Sequence, residues 1–337
     1  MNFLRNLFGK KPAEPAADTS EAPEAPTASV AAPEASADPA NDPNLIRVFD
    51  AYGRELFITR DEWRKSILPD NLRKDWHNPD ALYQAVLMAL RDGFHADVLE
   101  AARHLYAIDP VAERATCLYG ITLQLNRRLA EAEKVFRDHI DRHGESGVIL
   151  TNLAKVLFEK GDPAEGEKSL RRGLELDPNQ DNALPWYAAL LNERGGESAM
   201  DAGLREIAAL PASWRAQMYL AKSAIAAGRF DEVRALYAEA LARAGTPAPA
   251  DLLMSISGDL GNAGQLAELL ALVEPRFEAS VHGLMVGNNL IKAHLDLGHA
   301  SQAGVLLRRL IAQNRPDWRE HLAFWDKEIT AARSRAR

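Results

Sequence analysis

Cysteine is almost missing from this chain: 337 residues carry one, Cys117. A single thiol closes no intrachain disulfide and supports no zinc site built from several cysteines. Long apolar runs are missing as well, so no membrane-spanning helix is expected. Positive charge is in deficit. Forty Lys and Arg face 48 Asp and Glu, a net charge of −8, which argues against a nucleic-acid surface. There is no phosphate-cradling glycine loop, no Gly-x-Ser-x-Gly elbow and no His-Glu-x-x-His pair. Cys117 has no activating histidine within sequence reach. His139 and His143 are four residues apart on one helix face, but no third or fourth metal ligand accompanies them. An enzyme is therefore not expected, nor a cofactor or a metal. The start, MNFLRNLFGKK, has neither an apolar core of signal-peptide length nor a small-residue cleavage site, so the expected location is cytoplasmic.

The residues present fall into regions of different composition. Residues 1–9 place Phe3, Leu4, Leu7 and Phe8 at helical spacing beside Arg5, with Lys10 and Lys11 next in the chain. That is the pattern of a short amphipathic anchor, and residues 1–11 could touch a membrane surface peripherally or fill a partner's groove. Residues 10–43 contain eleven Ala, seven Pro and no aromatic, with two lysines against seven acids. Such a segment cannot bury enough surface to offset its ordering entropy, and reads as a disordered spacer. Residues 44–78 differ again. Two β-rich runs, Leu45–Asp50 and Glu55–Thr59, flank a glycine-containing loop and predict a hairpin. Thr59 and Glu62 form a capping box for a helix from Arg60 to Leu68 that stops at Pro69, and a second short helix is expected over Asn71–Trp76. Trp63, Ile67, Leu72 and Trp76 should pack this module on the helical region after it.

From residue 79 the chain is periodic. Gly93, Gly161, Gly195, Gly228, Gly264 and Gly298 are separated by 68, 34, 33, 36 and 34 residues, and Arg127 occupies the missing place in the first gap. Ile108-Asp109-Pro110 and Leu176-Asp177-Pro178 are near-copies 68 apart. A period near 34 is that of a helix–turn–helix unit. Units start at Pro79, Glu113, Gly147, Asp181, Trp214, Ala250 and Leu284, giving 79–112, 113–146, 147–180, 181–213, 214–247, 250–283 and 284–317. The third shows the pattern most clearly, with Leu150, Leu153, Ala154, Leu157, Gly161, Gly166, Leu170, Gly173 and Pro178.

On these residues the chain resembles the tetratricopeptide repeat (TPR) family. The resemblance implies a mainly α fold, a right-handed α-solenoid of about seven helix–turn–helix repeats, preceded by the small β-hairpin and helix module and the disordered N-terminal tail. The packing logic is visible in the residues themselves. Large apolar positions of helix A recur at i, i+3 and i+7, and a small residue at i+4 lets helix B approach. Glycine after helix A supplies the left-handed turn, and proline after helix B stops it. The sixth unit departs most: Gly258 and Gly261 fall within helix A, and Pro275 within helix B should kink or end it. Residues 318–337 place Trp318, Leu322, Trp325 and Ile329 on one stripe, as expected of a helix covering the last hydrophobic face.

The resemblance also implies that helix A lines a concave groove. Carried over by phase, that groove contains Tyr83, Arg114, Lys155, Phe158, Asn182, Arg215, Met218, Lys222, Asn288 and Lys292, with Asn152 one place off. Cations outnumber acids there although the chain is acidic. Amides could hold a backbone, cations a carboxylate, and the apolar members a side chain. The expected function is a non-catalytic protein–protein interaction scaffold or adaptor that binds an extended peptide or a helix. A chaperone-associated assembly cofactor and a regulatory subunit of an enzyme on another chain remain open alternatives.

Overall fold

The structure is a computed structural model and describes residues 42–49 and 52–335. The expected anchor (Phe3, Leu4, Leu7, Phe8) and most of the expected spacer lie outside the described residues.

Two antiparallel strands, β1 (Leu45–Phe49) and β2 (Glu55–Thr59), form the hairpin. The Thr59 hydroxyl accepts from the Glu62 amide 3.1 Å away and starts α1 (Arg60–Glu62), as the capping box requires. The chain does not stop at Pro69. A π-helical turn over Trp63–Ile67 joins α1 directly to α2 (Leu68–Lys74). In that turn the Leu68 amide donates to the Trp63 carbonyl, five residues back. Widening the helix there lets in a proline that lacks an amide and would crowd the carbonyl four residues before it.

It is this helical stretch, not the strands, that seals the first repeat. Trp63, Leu68 and Leu72 are buried, whereas Ile67 and Trp76 are half-buried. Trp63 stacks on Phe94 at 4.7 Å, and the Arg60 guanidinium lies 4.7 Å from the same ring while donating to the Asp92 carbonyl. Arg64 pairs with Asp97 at 2.7 Å, and Trp76 stacks on His104 at 4.2 Å.

The rest of the described chain is helical. The elements are α3 (Pro79–Arg91), α4 (Leu99–Ile108), α5 (Ala112–Leu125), α6 (Leu129–His143), α7 (Gly147–Lys160), α8 (Pro163–Leu176), α9 (Ala183–Ala208), α10 (Arg215–Ala226), α11 (Phe230–Arg243), α12 (Ala250–Asn262), α13 (Leu266–Val273), α14 (Ala279–Asp296), α15 (Ala300–Ile311) and α16 (Arg319–Arg335). Two of these are broken inside: α9 at Gly195-Gly196 and α14 at Gly283. Counting α9 as two helices gives seven helical hairpins between Pro79 and Ile311.

Each hairpin turns on one residue with positive φ: Gly93 (84°), Arg127 (62°), Gly161 (87°), Gly196 (68°), Gly228 (71°), Gly264 (70°) and Gly298 (78°). In the fourth hairpin the turn residue is Gly196 rather than Gly195, whose φ is −143°. At Arg127 a side chain is carried where glycine is favoured, at a cost of about 1–2 kcal/mol. Pro275 acts as expected: α13 ends at Val273, and a 3₁₀ turn over Glu274–Arg276 takes up the proline. Gly258 and Gly261 do not break α12.

The chain divides into two compact units. One takes the described residues up to Gly144 with Lys155–Asp162, the other Glu145–Ala154 with Pro163 onwards. In the first, Leu82, Val86, Leu105, Leu123 and Phe136 are fully enclosed. In the second, one apolar core runs from Ala154 to Ile329 of α16, with Tyr237, Leu184, Leu204 and Leu252 at its centre. Ion pairs at one constant separation, shorter than the repeat, join successive elements of the array. Glu133–Lys160, Glu145–Arg172 (2.8 Å), Glu167–Arg194 and Arg205–Glu232 (2.7 Å) are each 27 apart in sequence. These pairs face solvent and add little energy, but they set phase.

Close approach of helices demands small residues at defined places. A Cβ on Gly120 of α5 would overlap the ring of Phe136 on α6. Gly120→Ala is expected to lower stability by about 1–3 kcal/mol, because the buried ring has nowhere to go. A urea unfolding transition unchanged from the parent chain would contradict this packing.

Candidate interaction surface

The residues carried over to the groove have very different surroundings. In the first unit, Arg114 is bound on both sides. Its guanidinium makes two hydrogen bonds to Asp109, at 2.9 and 2.8 Å, and a third to Asp80 at 2.8 Å, and it lies 5.0 Å from the Tyr83 ring. Burial pushes the Asp109 carboxyl up, but the bonds from Arg114 and from the Val111 amide outweigh it and hold it below the usual carboxylate range. The same contacts raise Arg114 above the ordinary arginine value. Lys155 is buried and Phe158 half-buried.

In the second unit, Arg215 plays the corresponding part. It pairs with Asp251 at 2.5 Å, donates to the Asn179 carbonyl at 2.7 Å and covers the Trp214 ring at 4.6 Å. Lys292 pairs with Asp296 at 2.7 Å. Asn152 and Met218 are buried, Asn152 donating to the Val148 carbonyl at 3.0 Å. Asn288 accepts from the Trp325 indole at 2.8 Å, so it docks the terminal helix instead of facing a ligand. Asn182 and Lys222 are exposed.

The expectation of a row of available cations is therefore corrected. Arg114 and Arg215 stand at the second position of helix A, where each reaches a loop residue, Asp109 or Asn179, and an aspartate in the first turn of a neighbouring A helix, Asp80 or Asp251. They hold repeats in register. Of the cations named, Lys222 alone is exposed without a carboxylate partner among the described residues, its ammonium 5.9 Å from the Tyr219 ring.

Several contributors gave little sequence signal. Asp109 was visible only as part of a repeated Asp-Pro. In both copies the carboxylate turns back onto the chain, accepting from Val111 at 2.9 Å and from Asn179 at 3.2 Å. Arg243 caps the end of α9, donating to the carbonyls of Ala208 (2.5 Å) and Leu210 (3.2 Å). An exposed-looking arginine near a helix end was the only hint. His139 is buried, not a surface ligand. The Thr116 hydroxyl donates to the Ala112 carbonyl at 2.7 Å, so the His139 Nδ1–H donates to Thr116 at 2.8 Å. Burial, then the neighbouring His143, pull its ring below the usual histidine range. Among the described residues, no cluster of three or more ligating side chains could hold a metal, and no helix is long and apolar enough to cross a membrane.

Because Asp109 is depressed when folded, its contribution is present above the unfolded aspartate value, about pH 4, and is lost as pH falls through the lower folded value. Arg114→Met strands that carboxylate and is expected to destabilise the chain by about 1–3 kcal/mol at neutral pH. The difference from the parent should shrink below about pH 4, as Asp109 becomes protonated. A pH-independent difference in denaturant midpoint would show that the pairing is not what Arg114 contributes.

No family model matches the chain, and no curated protein matches it. Solved structures do. A tetratricopeptide repeat protein from Parabacteroides merdae is 15% identical, covering 75% of this chain and 98% of that one, with a TM-score of 0.33. The C-terminal part of a TPR repeat-containing protein from Cytophaga hutchinsonii is 11% identical over 74% of this chain and 95% of that one, also at 0.33. YrrB, described as a TPR protein with an unusual peptide-binding site, is 13% identical over 71% and 98%, at 0.28. Superpositions this partial add no argument of their own. The likeness rests on the seven helical hairpins and their seven left-handed turn residues, which give this chain the fold of a tetratricopeptide repeat protein.

Proposed function

We propose that this chain is a non-catalytic scaffold or adaptor that holds an extended segment or a helix of a protein partner against its A helices. Lys222 carries the reading. It is exposed on α10 above a half-buried tyrosine, and its charge is not consumed by a neighbouring carboxylate among the described residues. One repeat later the same phase is occupied by Gly258, where an added Cβ would meet nothing within 4 Å, and Met254 stands half-buried one turn earlier on α12. Met285 on α14 is 55% exposed. A cation, an uncovered stretch of helix and deformable thioethers suit a segment that offers a carboxylate beside an apolar side chain.

The test is quantitative capture of partners by the intact chain and by Lys222→Glu, Gly258→Leu and Arg114→Met. Lys222→Glu should lower capture about tenfold through the loss of one charge-assisted contact, and Gly258→Leu should lower it by filling the open stretch of α12. Arg114→Met should change stability rather than selectivity. Undiminished capture by both surface variants would remove the reading. Lys155 is unsuitable for charge reversal because it is buried.

The same experiment separates the alternatives. A chaperone that is lost when residues 44–59 are removed would point to an assembly cofactor, and one enzyme recovered at equal stoichiometry to a regulatory subunit. Residues 60–76 must be kept, since Trp63, Leu68 and Leu72 are part of the first unit's core. The tether over residues 1–11 would add peripheral membrane contact through Phe3, Leu4, Leu7 and Phe8. Anionic vesicles should float the intact chain and not one lacking residues 1–9, and equal flotation of both would dismiss the tether.

A further inference from the structure

None of the residues in β1 or β2 is buried. Phe49 is 61% exposed, Tyr52 at the turn 85% and Leu56 47%. A two-stranded ribbon is marginal in water, and three or more strands sharing an apolar face, or packing against a helix, are needed for independent stability. The ribbon has such a face, since Ile46 lies opposite Ile58 and Val48 opposite Leu56. Among the described residues it has no third strand.

The hydrogen-bond phase shows which backbone groups are left over. The Arg60 amide donates to the Asn44 carbonyl at 2.9 Å, so these two residues face each other across the ladder. In an antiparallel pair, bonded and non-bonded positions alternate. Ile46–Ile58 and Val48–Leu56 are therefore the pairs that bond between the strands. The amides and carbonyls of Glu55, Phe57 and Thr59 point away from β1, and those of Leu45, Arg47 and Phe49 point away from β2.

The two edges are not equally open. On β1 the Leu45 amide is already bound to the Asp42 carbonyl at 3.1 Å, Pro43 precedes the strand and Arg47 sits at its centre. Charges and prolines of this kind are how proteins blunt an edge. The β2 edge, Glu-Leu-Phe-Ile-Thr, has no lysine, proline or bulge. The chain's own preceding segment is a poor third strand, because residues 10–43 contain seven prolines and one large aliphatic residue, Val30.

A second copy of β2 fits this edge. Antiparallel pairing about a two-fold axis at Phe57 sets Phe57 opposite its own counterpart, Leu56 opposite Ile58 and Glu55 opposite Thr59. The bonded positions of that register are 55, 57 and 59, the three whose groups point outward. An axis between two residues would direct outward groups at inward ones, and centring on Leu56 or Ile58 would pair only three strand residues, so Phe57 gives the longest ladder. No like charges meet, and Glu55 is already partnered by Arg47 at 3.6 Å. Symmetric pairing through β1 about Arg47 would instead oppose two guanidiniums.

We propose that β2 is a self-association edge through which two copies of this chain form a four-stranded sheet in the order β1-β2-β2-β1. One face of that sheet is aliphatic, with Ile46, Val48, Leu56 and Ile58 from each copy, and the other carries a Phe57 pair. A five-residue strand pair is small beside the roughly 1,200 Å² that stable interfaces bury, so the dimer is reversible and concentration-dependent. It would present two repeat arrays to one partner and raise avidity without new contacts.

The test uses the full chain. Sedimentation velocity over a concentration series should show a monomer–dimer equilibrium that Phe57→Lys weakens at least tenfold and Tyr52→Lys, at the tip, leaves unchanged. Because Phe57→Lys could also unravel the ribbon, a second measurement places thiols in a Cys117→Ser background. Phe57→Cys should give a covalent dimer with a short bis-maleimide, and Arg47→Cys should not. A chain that stays monomeric at its highest soluble concentration without cross-linking at position 57 overturns the proposal. So does association that survives Phe57→Lys, or cross-linking that is equal at positions 47 and 57.

Discussion

The array depends on one backbone event repeated seven times: a residue in the left-handed region between two short helices. A helix of ten to fifteen residues does not persist alone in water. Reversing the chain within a few residues lets one apolar stripe cover another, and the next hairpin covers what remains. Without that turn the helices would run on and their stripes would stay wet. Arg127 shows how strong the demand is, because the turn persists there although the residue carries a side chain that disfavours it.

Burial between hairpins sets their spacing, but charge sets their phase. Arg114 and Arg215 are the clearest cases. Each is partly enclosed, lies over an aromatic ring and reaches acceptors more than thirty residues away. A guanidinium can hold several acceptors in fixed directions, which a lysine ammonium cannot. That geometry explains why the second position of helix A carries arginine in these repeats, and why those arginines are poor candidates for ligand contact. Where the scaffold does not need the charge, as at Lys222, the cation stays exposed.

Much of the fold could be read from spacing. The capping box at Thr59 and the apolar stripe of the terminal helix lie within a few helical turns of sequence, and the glycine period repeats one local turn signal. Where reading failed, the cause was a local alternative. Pro69 looks like a stop, but a π-turn makes room for it. Gly195 looks like the turn residue, but its neighbour takes the positive φ. The candidate surface was less legible. Asn288 and Lys222 occupy groove positions by phase alone, yet one is consumed by Trp325 thirty-seven residues later and the other is exposed. Side-chain partners at that separation leave no periodic trace.

By itself, then, the sequence determined the helical hairpins, their number and the strands before them. These come from local periodicity and from residues that forbid helix continuation. Only the tertiary structure decided which cations are spent on neighbouring repeats, which polar residues are buried and which strand edge stays open. Those outcomes depend on distances between residues a full repeat apart, and the period of the sequence is the same whether such residues touch or not.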